Sequence, residues 1–140
     1  MIALDTNVIL RYLLDDDSVQ TSKAYQLING NESVLLTDVV LAETIWTLKG
    51  KKYRLGRSDL ITVIQALFKE PNIRFENAQA VWKALHDFRK AKSVGGRIAD
   101  FPDALIVNKA KAVSRGLNTK LKAVYTFDKA AQQIPGTEAP

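Results

Sequence analysis

Cysteine is absent from the 140 residues, methionine and histidine each occur once, and there are only four prolines. Without thiols there can be neither a disulfide framework nor a thiolate metal site; a reducing compartment fits, and a cytoplasmic protein is expected. No apolar run approaches the roughly 20 residues of a membrane span. The chain opens directly into a strand-like segment without a basic leader, so no secretion signal is expected. Acidic residues are in the minority, 15 Asp and Glu against 20 Lys and Arg, for a net charge of +5. That balance favours polyanionic partners and says nothing about fold. With 46% apolar and 25% charged residues, the composition is that of a globular protein. The length suits one domain, expected over residues 1–134, with 135–140 as a fraying tail.

Short apolar runs alternate with helical periodicity. Ile2-Ala3-Leu4 reads as a strand buried on both faces, stopped by Asp5, after which Thr6-Asn7 lead into a helix through Leu13. Ser18 is expected to cap a helix that ends at Asn29-Gly30-Asn31. Ser33-Val34-Leu35-Leu36 reads as a second buried strand, with Thr37-Asp38 starting a helix that Gly50 ends. Ser58 is expected to cap a helix to about Lys69, Ile73-Arg74-Phe75 to form a short strand, and Asn77 to cap a helix through Phe88. Gly95-Gly96 mark a mobile loop. Pro102 suits the first turn of a helix reaching Arg115, and Ala123-Val124-Tyr125-Thr126 is a further strand. This alternation predicts an α/β fold: a three-layer α/β/α sandwich around a central, mainly parallel sheet of four or five strands.

The acidic residues fall at particular points of this pattern. Asp5 and Asp128 each follow an apolar strand, at the carboxyl edge where open α/β sheets build their sites. Glu43 falls between Val39, Val40 and Trp46, on a helix whose other face is Leu41, Ile45 and Leu48. A largely buried helix would make that carboxylate costly unless it is compensated; the alternatives are a Glu snorkelling past Trp46 or pairing with a Lys. Asp103 lies one turn before the stripe Ile106, Val107, Ala110 and Val113, with Asp100 one turn earlier still. Acids in a first turn are also favoured by the macrodipole and by capping. Three or four carboxylates converging on one edge would raise one another's pKa unless a cation is bound. Hard oxygen ligands select Mg²⁺ or Mn²⁺ over zinc, and an acidic metal pocket in a basic protein suits phosphodiester hydrolysis.

Asp5-Thr6-Asn7, Leu41-Ala42-Glu43, Asp100-Phe101-Pro102-Asp103-Ala104-Leu105-Ile106 and Tyr125-Thr126-Phe127-Asp128 occur in an order and at spacings that resemble the PIN-domain family. In size the chain resembles the VapC-type ribonuclease toxins of type II toxin–antitoxin pairs. The resemblance implies a Mg²⁺- or Mn²⁺-dependent endoribonuclease, an RNA substrate, a cognate antitoxin protein and a homodimer. It makes Asp5, Glu43 and Asp103 the characteristic catalytic and metal-holding acids, and Asp128 the more variable fourth. Asp100 matches an additional acid, and which of Asp100 and Asp103 is the closer ligand stays open. Thr6, Asn7 and Thr126 match supporting positions. Ala130-Ala131 stand where many relatives carry an aromatic residue.

Two basic segments are candidates for RNA contact: Lys51, Lys52, Arg54 and Arg57, with Tyr53 available to stack on a base, and Arg89, Lys90, Lys92 and Arg97. His86, beside Leu85 and Phe88, is expected to be structural, and Asp15-Asp16-Asp17 a solvated turn. Trp46 and Trp82 are expected in the core or at the edge of a partner groove. The alternative function is a PIN-like RNA- or protein-binding module that does not cut; its mark would be a missing acid, and none is missing. A phosphorylated receiver domain is disfavoured, because Asp5 is followed by Thr6-Asn7 and not by a second acid.

Overall fold

A computed structural model describes all of residues 1–140. The chain divides into two compact units, Met1–Glu76 and Asn77–Pro140. The first contains β1 (Ile2–Ala3), α1 (Thr6–Leu14), α2 (Ser18–Ile28), β2 (Val34–Leu36), α3 (Asp38–Lys49), α4 (Arg57–Lys69) and β3 (Ile73–Phe75). The second contains α5 (Ala78–Lys90), α6 (Phe101–Gly116), β4 (Val124–Tyr125), a 3₁₀ turn at Ala131–Gln133 and β5 (Thr137–Glu138). No helix is long and apolar enough to cross a membrane.

The fold is α/β with parallel strands, as the alternation predicts. The five strands form two sheets, β1-β2-β3 and β4-β5, with every pair parallel. In the first unit two helices separate each strand from the next, which supplies the length that a parallel crossover needs. Val34 and Leu36 of the central strand β2 are buried. The edge strand β1 departs from expectation: Ile2 is only half-buried and Ala3 is exposed, because it has a hydrogen-bonded neighbour on one side alone.

The sequence predicts helix α3 to be buried nearly all round. Instead Leu41, Thr44, Ile45 and Leu48 face the core while Val39, Glu43 and Trp46 are exposed. Thr44 can enter the core because its hydroxyl donates to the Val40 carbonyl, 2.7 Å away, which removes the cost of burying it. Helix α2 is capped by Asp17, which accepts from the Val19 and Gln20 amides, and α4 begins after Gly56 with no side-chain cap; neither Ser18 nor Ser58 caps as expected.

In the second unit α5 packs its face of Ala80, Val81, Ala84, Leu85 and Phe88, and Phe88 meets Phe101 of α6 edge-on at 6.1 Å. The expected α6 stripe is displaced around the helix: Ile106 and Val113 are 59% and 48% exposed, and Leu105 and Asn108 are buried. Asn108 holds a core position because its amide donates to Asp87 Oδ2 (2.8 Å) and to the Ala104 carbonyl (2.9 Å). The Gly95-Gly96 segment is a tight turn: both glycines have positive φ, and Val94 and Arg97 exchange backbone hydrogen bonds, the pattern of a two-residue hairpin. Residues 135–140 do not simply fray, since Thr137–Glu138 pair with Val124–Tyr125.

Candidate metal-binding and active site

In the first unit the end of β1 and the middle of α3 supply one acidic group. Asp5 is the N-cap of α1, its Oδ1 accepting from the Thr6 amide at 2.7 Å. The buried Thr6 turns its hydroxyl to Glu43, donating to Oε2 at 2.6 Å. The expected group Asp5, Thr6, Asn7 and Glu43 therefore lines one open pocket, of about 590 Å³, shared with Leu10, Trp46, Thr47 and Gly50. Asp5 and Glu43 are both exposed, so their charges meet water and not a closed core; of the alternatives for Glu43, the structure has the exposed one beside Trp46.

The second unit supplies the other acids. Asp100 and Asp103 form a reciprocal capping box on α6: Asp100 Oδ1 accepts from the Asp103 amide (2.9 Å), and Asp103 Oδ2 accepts from the Asp100 amide (3.0 Å). Burial, then the neighbouring Asp100 and more weakly Asp128, push the Asp103 carboxyl up to about 6. Asp128 caps the turn after β4, Oδ1 accepting from the Ala130 and Ala131 amides. The Thr126 hydroxyl accepts from the Asp128 amide at 3.1 Å. The remaining Asp128 oxygen receives Arg97 Nη2 at 3.3 Å, a contact that the residue order does not foretell because it depends on the Gly-Gly turn.

The donor chemistry fits a hard divalent cation: every candidate ligand is a carboxylate oxygen. The raised Asp103 carboxyl owes most to burial and less to its acidic neighbours Asp100 and Asp128. Within neither unit, however, are three acidic side chains gathered as the ligands of one ion.

The other candidates resolve differently. Lys51, Lys52, Arg54 and Arg57 follow α3. Lys52 lies over the Tyr53 ring, 5.2 Å from its centroid. Arg54 adopts a left-handed backbone (φ 54°) and bonds the Lys51 carbonyl. The Asp15–Asp17 turn is structural: Asp15 ends α1, Asp16 pairs with Arg11 at 2.6 Å and Asp17 caps α2. His86 is exposed on α5. Trp46 and Trp82 are 71% and 56% exposed, which overturns a core role for either. The pocket position of Trp46 went unrecognised in the sequence, although it lies one helical turn beyond Glu43.

Parallel strands alternating with helices, with Asp5 and Asp128 capping the turns that follow β1 and β4, place the chain in the α/β class. Within that class the chain belongs to the PIN domain family, whose model matches residues 2–136. Among solved structures it is similar to the Mycobacterium tuberculosis toxin VapC20, a sarcin-ricin loop cleaving toxin. The two share 20% identity over 97% of this chain and 96% of that one, with a TM-score of 0.41. No curated protein matches.

Proposed function

We propose that this protein is a Mg²⁺- or Mn²⁺-dependent endoribonuclease, the toxin of a toxin–antitoxin pair, working as a homodimer and silenced by a cognate antitoxin protein. The observation that carries the reading is the Thr6–Glu43 hydrogen bond, which holds the acid of α3 in the pocket of the strand-end Asp5. Membership of the PIN family and the net charge of +5 support an anionic substrate.

Asp5, Glu43, Asp103 and Asp128 are read as the catalytic acids, and these with Asp100 are the residues that would serve as ligands to a divalent cation. Bound there, the divalent ion would lower the pKa of a water and stabilise charge on the phosphodiester and the leaving oxygen. Thr6 orients Glu43, Asn7 lines the Asp5 pocket, and Thr126 steadies the loop that presents Asp128. The capping box sets the Asp100 and Asp103 carboxylates at the start of α6. The chain needs no nucleophile of its own. Lys51, Lys52, Arg54 and Arg57 meet the RNA phosphates.

The test is cleavage of a structured RNA pool by purified protein in Mg²⁺ or Mn²⁺. Activity is expected to vanish with EDTA and in Asp5→Ala. Equal cutting by all samples would mark contamination, and no cutting in excess Mn²⁺ would favour a module that binds RNA or protein without hydrolysing it.

A further inference from the structure

Trp46 is 71% exposed, an unusual state for so large an apolar ring in a protein with only two tryptophans. It lies on the same face of α3 as Glu43, three residues on, the spacing that puts two side chains side by side along a helix. Both line the open pocket that Asp5, Thr6 and Asn7 complete. The chain that leaves this helix, Lys49 to Arg57, carries five Lys and Arg residues and no acid. Along the chain the exposed indole thus follows Glu43 and precedes a stretch of cations.

We infer that Trp46 is a stacking platform for one nucleobase of the bound strand, next to the phosphate brought to Asp5 and Glu43. The inference rests on the nuclease reading and adds to it a residue that positions single-stranded RNA. A protein partner could also cover an exposed tryptophan. The neighbourhood favours nucleic acid: Asp5 and Glu43 share the pocket with Trp46, a cationic segment follows it in the chain, and single-strand sites pair backbone-tracking cations with aromatic faces. The pocket is open, with Gly50 at the end of α3 leaving its margin free of a side chain. Stacking is tolerant of base identity, so Trp46 would set how a nucleotide is held and not by itself which one.

The experiment uses Trp82→Phe protein, in which Trp46 is the sole tryptophan. It is titrated in EDTA, so that nothing is cut, with each of the four homo-oligoribonucleotides and with an abasic ribose-phosphate oligomer of equal length. Quenching of Trp46 fluorescence is expected with base-containing strands and not with the abasic one. Trp46→Ala, made in the full-length chain, should weaken binding of base-containing strands roughly 5- to 150-fold, the equivalent of one stacked base, and leave abasic binding unchanged. In cleavage assays it should raise KM more than it lowers kcat, and Trp46→Phe should restore most of the loss. Equal affinity of Trp46→Ala and the parent for every oligomer, or equal quenching by the abasic strand, would overturn the inference. If the parent cuts RNA and Trp46→Ala cuts it with the same KM, this inference alone fails; if the parent neither binds nor cuts RNA, the nuclease reading fails with it.

Discussion

At Asp103 a half-buried carboxyl shares the first turn of α6 with Asp100, and its pKa is raised to about 6 by burial and by that neighbour. A carboxyl raised in the folded state binds its proton more tightly there than in the unfolded chain, where a value near 3.9 holds. Its stabilising contribution is therefore complete below about pH 4 and is lost as the pH climbs through about 6. In EDTA, Asp103→Asn should melt higher than the parent at pH 7 and show a flatter dependence of Tm on pH between 4 and 7. The amide oxygen still accepts from the Asp100 backbone, so the cap survives. The same variant should have no cleavage activity. Parallel Tm–pH curves for the two proteins would assign the titration elsewhere. A substitution that stabilises while it disables is expected where charges are crowded for chemistry and not for folding.

Among the elements, β5 depends on a glycine-favouring backbone conformation. Gly136 turns the chain into it with φ +101°, and a Cβ there would come within 2.8 Å of Lys111 Cε. The Gly136 carbonyl accepts from the Val124 amide, the first bond of the β4–β5 pair, and Lys111 Nζ donates to the neighbouring Pro135 carbonyl. Gly136→Ala should cost about 1 kcal/mol or more and increase amide exchange at Val124 and Thr126; unchanged exchange at both would show that the turn tolerates a side chain. This strand was illegible in the sequence because Pro-Gly-Thr-Glu has no apolar alternation, and two residues pair only when a turn delivers them. The strong elements were readable where periodicity and caps agreed, as in α1, α3 and α5. The rotation of α6 was not, because Asn108 reads as a surface residue until its partners Asp87 and Ala104 are known.

Over the whole molecule the charge is unevenly shared. Asn77–Pro140 holds eleven of the 20 Lys and Arg residues and only five of the 15 acids, while Met1–Glu76 is close to balanced. The basic segment after α3 therefore belongs to the unit with the smaller net charge. Replacing Lys51, Lys52, Arg54 and Arg57 together by Ala should lower the slope of log K for single-stranded RNA against log salt by about 0.7 for each phosphate that is no longer neutralised. A residual slope from the cations of the second unit should remain. An unaltered slope would remove this segment from the RNA path. Asp5, Asp100 and Asp128 stood out in the sequence because each caps the helix or turn that follows a strand or loop, whereas Glu43, in the middle of α3, has no such signal. Whether three of them gather on one ion depends on packing that residue order does not encode.

The hydroxyl of Thr6 occupies Glu43 Oε2 and leaves Oε1 as the less encumbered oxygen. The bond takes one of the roughly four lone-pair sites of the carboxylate and ties an exposed side chain to a buried one. A cation meeting Glu43 would find the group already oriented, with less side-chain freedom left to freeze on binding.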